Sequence, residues 1–194
     1  MAAANKCSLL LKSLGWCYGT PVKPGIRRRV YGIDGSKIVK WPTFTRDELG
    51  RITSAIMQGN FELAEGAKWA YIDHLPDKAS FKSETQGEPP SQSFKVTAEI
   101  VHPGVGQEAA EATASLLNSN MVFLVQDMMG NYRVIGSEDY DTLATSSRDN
   151  GQGATGTAGT TITIEASMEI DAPIYTGEIV TDDGTINESA GDGV

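Results

Sequence analysis

The sequence has few of the residues from which catalytic and metal sites are built. Its 194 residues include two histidines and two cysteines. His74 and His102 with Cys7 and Cys17 give no zinc spacing. Nothing around either cysteine resembles a nucleophile elbow or a thiol-protease signature. Two cysteines make no disulfide framework, which suits a reducing compartment. No apolar run approaches the ~20 residues of a spanning helix. The apolar stretch Leu9-Leu10-Leu11 is cut short by Lys12 and Ser13, so no secretion signal is expected. Aromatics are modest, and Trp16, Trp41 and Trp69 are expected to be buried; as a group on the surface they would make a sugar platform. Glu138, Asp139 and Asp141 lack the loop pattern of an EF-hand. The expectation is a protein that is not an enzyme and uses no cofactor or metal.

Glycine, by contrast, is plentiful at 21 residues, favouring a loop-rich β protein. Gly151-x-Gly153-x-x-Gly156 matches a dinucleotide fingerprint in spacing. Such a site needs a helix after the glycines, whose N-terminal amides hold the pyrophosphate. The residues after Gly156 are "TAGTTITIEASMEI", with a period of two. The stretch is therefore a loop leading into a strand.

Charge is also unevenly distributed. Residues 1–51 carry a balance of +7, and the remaining 143 residues a balance of −16. Such a split fits a basic face on nucleic acid, or head-to-tail self-association of basic on acidic faces. It would mean nothing if folding mixed the two sets.

Periodicity supplies the elements. Residues 26–34 and 37–41 read as strands of a hairpin around Asp34-Gly35, with Arg27 and Arg29 on one face and Arg28 on the other. Thr45-x-x-Glu48 ahead of Leu49, Ile52 and Ile56 has the form of a capping box and predicts a helix. Residues 61–64 and 68–75 read as a second hairpin, turning at Glu65-Gly66. Phe94, Val96, Ala98 and Ile100 alternate with polar residues, as do Ile162, Ile164, Ala166, Met168 and Ile170. Val105, Ala109, Ala112 and Leu116 make one helical stripe. The run Met121 to Val125 predicts a strand buried on both faces, turning at Gly130-Asn131 into another. The expected fold is mainly β, an antiparallel sandwich or barrel with one or two flanking helices. An N-terminal arm would occupy 1–24 and the domain 25–177, with a helix near 105–118 and a long loop over 137–159. Residues 178–194 would be a disordered acidic tail.

The order of these features resembles a known family. "TPVKPGIRRRVYGID", "GNFELAEGAKWAYIDHL", "SETQGEPPSQSFKVTAEIVHPG" and "MVFLVQDMMGNYRVIGSEDYDTLATSSRDNGQGATGTAGTTITIEASMEIDAPIYTG" look like structural proteins of tailed phages and prophages, especially of Bacteroidetes hosts. The likeness is above all to tail tube (major tail) proteins and covers most of residues 20–177. It implies a virion protein assembled in the bacterial cytoplasm. Its subunits would form rings, usually hexameric, stacked into a tube with other tail or connector proteins, with DNA as non-specific cargo. An acidic wall would let DNA pass without sticking. The alternating strands at 94–101 and 162–170 would pair across subunits. Arg27, Arg29, Gly151, Gly153 and Gly156 are the expected subunit contacts. The alternatives are a capsid-associated or head–tail connector protein, a carbohydrate-binding β-sandwich, and, third, an enzyme gathering His74 or His102 with acids.

Overall fold

A computed structural model describes residues 12–187. Residues 12–25 have no regular structure and lie exposed on the surface. The fold begins with β1 (Ile26–Asp34), β2 (Ile38–Lys40), β3 (Thr43–Arg46), β4 (Ile52–Gln58), β5 (Glu62–Leu63) and β6 (Ala70–Asp73). It continues through β7 (Ser80–Gln86), β8 (Ser93–His102), helix α1 (Gln107–Ser115), β9 (Met121–Asp127) and β10 (Tyr132–Ile135). It closes with β11 (Leu143–Asp149), β12 (Gly159–Met168), β13 (Ile174–Tyr175), β14 (Ile179–Thr181) and β15 (Gly184–Ile186).

Two sheets face each other. The larger has seven strands in the order β3-β4-β13-β10-β9-β1-β6, the smaller four in the order β11-β12-β8-β7. Neither closes into a barrel. Between them lies a core of Val30, Phe123, Val125 and Ile135 from the large sheet and Val96, Ile100, Ile162 and Ile164 from the small one. Gly32 leaves room here, because a Cβ on it would lie 2.9 Å from the Phe123 ring. The other side of the large sheet holds a second core. Tyr31, Ile33, Val122, Leu124 and Val134 pack there with Phe61, Trp69 and Ile179. The pairs β2–β5 and β14–β15 supply residues to that side. Successive β9 residues thus enter opposite cores, so its unbroken apolar run is a strand buried twice.

The mainly β sandwich with one α-helix among the described residues is as expected. Strands β8, β9, β10 and β12 and helix α1 lie where periodicity puts them. Five local readings need correction. The residues after Thr45 form a turn between β3 and β4 instead of a helix. Asp47 organises it: its carboxylate accepts from the amides of Leu49 and Arg51, each at 2.9 Å, and Gly50 takes φ +79°. β-branched Ile52, Thr53 and Ile56 then suit a strand. Around Asp34-Gly35 the turn exists, with Asp34 accepting from the Ser36 amide at 2.8 Å. Yet β1 pairs with β6 and β9, and β2 with β5. The Glu65-Gly66 turn likewise joins strands that pair elsewhere, β5 with β2 and β6 with β1.

The fourth correction is inside the 137–159 loop, where β11 pairs residue by residue with β12 from Leu143↔Glu165 to Asp149↔Gly159. The fifth is the tail. Residues 179–186 form the β14–β15 hairpin, with Ile179 fully buried. Lys68 pairs with Asp182 at 3.0 Å and Arg29 reaches Asp183 at 3.5 Å. The remainder of the expected tail, 188–194, lies outside the described residues, as do the first eleven residues of the expected arm, including Cys7.

Candidate functional site

Neither histidine is hydrogen-bonded or ion-paired to a carboxylate among the described residues, although His102 shares a concavity with Asp73 and Glu108. His74 comes directly after β6 at the seam between the sheets, only 2% exposed. Its amide donates to the Arg28 carbonyl, and the next amide, of Leu75, donates to Val101 of β8, both at 2.9 Å. Neither ring nitrogen makes a hydrogen bond of good geometry. Burial pushes the pKa of His74 below that of an ordinary histidine, against the opposing pull of nearby backbone groups of Leu75 and Arg27. The His102 Nδ1 lies 2.7 Å from the backbone carbonyl of Asp73, so it carries the proton and donates. Among the described residues, no three His, Cys, Asp or Glu side chains are grouped to hold a metal ion.

The tryptophans make no platform. Trp69 is buried, and Trp41 and Trp69 both pack edge-on against Phe61 with centroids 5.4 Å away. Trp16 stands apart in the exposed arm beside Tyr18.

Of the expected contact residues, Arg29 is engaged within its own subunit. Its Nε and Nη2 donate to the two carboxylate oxygens of Asp73 at 2.7 and 2.9 Å. The guanidinium also lies 3.6 Å from the centre of the Tyr71 ring. The hydrogen bond from Arg29 holds the Asp73 carboxyl below the usual carboxylate range. Arg27, by contrast, is exposed. Gly151 and Gly153 take φ of +76° and +63°. The Gly151 amide donates to the Asp149 carboxylate at 2.8 Å, and a Cβ on Gly156 would strike the Gln152 amide nitrogen. The three glycines therefore shape the tight connection from β11 to β12, and no helix comes after them.

Folding consumes part of the charge split. Arg29, Lys40 and Arg46 from the basic N-terminal segment pair with Asp73, Glu62 and Glu169 from the acidic remainder. The hydrogen bond from Arg46 holds Glu169 below its ordinary pKa.

The small sheet has one face in the core and one face outside it. Its inner residues fill the core, while its outer face carries Thr97, Glu99, Thr161, Thr163, Glu165 and Ser167 along β8 and β12. Register places Lys82 and Glu84 of β7, Lys95 and Val101 of β8, and Leu143, Thr145, Ser147 and Asp149 of β11 on the same face. Hydroxyls dominate, and four acids (Glu84, Glu99, Glu165, Asp149) face two lysines (Lys82, Lys95). The Lys95 Nζ is 3.0 Å from Glu165. No aromatic residue belongs to this face. Strands β8 and β12, expected to pair across subunits, are interior strands of this sheet. Among the described residues the edges of this sheet are β7 and β11, each seven residues long. Sequence reasoning missed both. Leu143 and Ala144 are the only apolar residues of β11, and β7 has only Phe81, so their pattern is too thin to find.

The surface also has several concavities. One, of about 210 Å³, lies beneath α1, with Asp73, His102 and Glu108 beside the apolar Ile72, Ala109 and Ile162. Another is a groove of about 570 Å³ between β2–β3 and the turn at 136–140. Comparison with protein-family models, with curated proteins and with solved structures found no match.

Proposed function

We propose that this chain is a tail tube subunit of a tailed phage or prophage, working by self-assembly into rings that stack around a DNA-conducting lumen. The observation that supports this reading most is the four-stranded sheet, open at two edges of equal length. All three of its internal pairings are antiparallel. With four strands, the two edge strands therefore run in opposite senses. When copies are related by rotation about a ring axis, β7 of one copy meets β11 of the next in an antiparallel sense, continuing the pattern. Such a head-to-tail contact closes into a ring and leaves no edge for stray pairing.

A ring of six would bring about 24 strands into one barrel, roughly 45–50 Å across between backbones at ordinary strand spacing and tilt. The large sheet would lie outside and the hydroxyl-rich face inside. That face has more acids than bases and no rings on which bases could stack. It suits a channel along which phosphates slide without holding. The resemblance to tail tube proteins points the same way.

Negative-stain electron microscopy with light-scattering mass, over a range of protein and salt concentration, tests the reading. Rings or tubes with a central hole are expected. A salt-insensitive monomer at every concentration would count against it and favour a connector, capsid-associated or ligand-binding role.

A further inference from the structure

We propose that the arm at 12–25 of one copy docks into the groove between β2–β3 and the 136–140 turn of a second copy. The inference rests on the self-assembly reading and adds to it a contact separate from the sheet edges. The arm, "KSLGWCYGTPVKPG", has two lysines and no acid. Its Leu14, Trp16, Tyr18 and Val22 are between 62 and 101% exposed. The Trp16 and Tyr18 rings touch each other edge-on with centroids 4.7 Å apart, and neither belongs to a core cluster. The Lys12 ammonium reaches the Thr53 carbonyl, which lays the arm along the body without covering its apolar side chains. Clustered exposed apolar residues of this kind mark surfaces that meet a partner.

The groove has the complementary character. Its apolar lining comes from Val39, Trp41, Phe44, Met57, Met168 and Ile170. At about 570 Å³ it has the size of pockets that accept several rings. Its cations are committed, Lys40 to Glu62 and Arg46 to Glu169. Glu138 and Asp139 on its rim make no salt bridge among the described residues, and they offer a partner for Lys23. Arm and groove belong to the same chain, yet in a single copy they do not meet. The occupant that fits is therefore the arm of another copy, ordered at the expense of its own freedom when it docks.

The chain carries its own reporter, since Cys17 sits exposed between Trp16 and Tyr18. In the full-length chain, Cys7→Ser leaves Cys17 as the single thiol, and Ser137→Cys places a second one in the groove. Ala114→Cys, on the exposed side of α1, serves as the control position. Mild oxidation with copper phenanthroline, read on a non-reducing gel, should give dimers and longer ladders from the Ser137→Cys chain. Their yield should exceed the control by roughly tenfold. No bond, a bond within one chain only, or equal yields at both positions would overturn the proposal.

A Trp16→Ser/Tyr18→Ser chain should keep its urea midpoint, because neither ring enters a core. It should associate about tenfold more weakly in sedimentation, and unchanged association would also overturn the proposal. The two readings separate cleanly. Cross-linked copies without rings would remove the tube and keep the docking. Rings in which Cys17 forms no bond to the thiol introduced by Ser137→Cys would do the reverse.

Discussion

The two sheets share one core but treat their second faces in opposite ways. Every residue of β9 from Val122 to Val125 is buried, alternately in the inter-sheet core and beneath the β14–β15 hairpin. Along β12 the same alternation leaves the half-buried Thr161, Thr163, Glu165 and Ser167 on a face against which no second sheet packs among the described residues. A sheet sealed on both sides is constrained by packing alone. A sheet with a free side can carry residues whose purpose lies outside the molecule. Function is therefore best sought on the small sheet, and stability on the large one.

That contrast can be broken most directly at an edge. Thr145→Lys/Ser147→Lys places two cations on β11, the device by which natural edges avoid pairing. Rings should vanish in electron micrographs while the circular dichroism of the subunit stays unchanged. Rings that persist would mean that β11 is not a joint. On the sealed sheet, Phe123→Ala should lower stability by about 3–5 kcal/mol, read by urea unfolding.

The seam between the sheets tests pH. Burial lowers the pKa of His74 in the fold, whereas the unfolded chain takes up a proton near the ordinary value of about 6.5. Its neutral burial is thus fully tolerated above that pH, and stability falls as pH drops below it. Urea unfolding should therefore show lower stability at pH 5.5 than at pH 7.5. His74→Leu should flatten that slope, and an equal slope in both chains would remove His74 as its cause.

At the exposed margin of the large sheet, Arg29→Ala should cost about 1 kcal/mol or less, because the pair with Asp73 is more than a third exposed. The smallest effect belongs to the open face. Thr163→Ala should fall within about 0.5 kcal/mol of the parent in urea. A larger value would show that the open face contributes to the fold after all.

Legibility divides along the same line. Strands with a buried face are readable, since burial imposes a period: β8 and β12 alternate, and β9 is apolar throughout. Edge strands are not, because solvent on two sides imposes almost nothing on "LATSSRD" or "SFKSETQ". Local turn chemistry is visible at Asp34-Gly35 and Glu65-Gly66, but a turn does not choose its strands' partners. Those are decided by distant residues such as Trp69 and Tyr31, which meet in the second core. The spacing Thr45-x-x-Glu48 has the look of a cap, while Asp47 between them does the hydrogen bonding. Asp182 and Asp183 read as tail composition because their cations, Lys68 and Arg29, lie more than a hundred residues earlier. At the candidate site, the parity of Arg27 and Arg29 is visible in the sequence, and the capture of Arg29 by Asp73 is not. The glycine fingerprint is ruled out by its context, and the strand after it bears this out.

The two-residue strand β13 sets an order of events. The β3–β4 hairpin joins the large sheet through β13 alone, with Ile56 opposite Ile174 on one side and Tyr132 opposite Tyr175 on the other. Residues 43–58 emerge early in synthesis and have no seat until residue 175 has been made. A chain interrupted before that point keeps its hairpin loose, open to proteases and without the wall of the groove it forms. Closure of this body therefore waits for the last strand of the large sheet to be made.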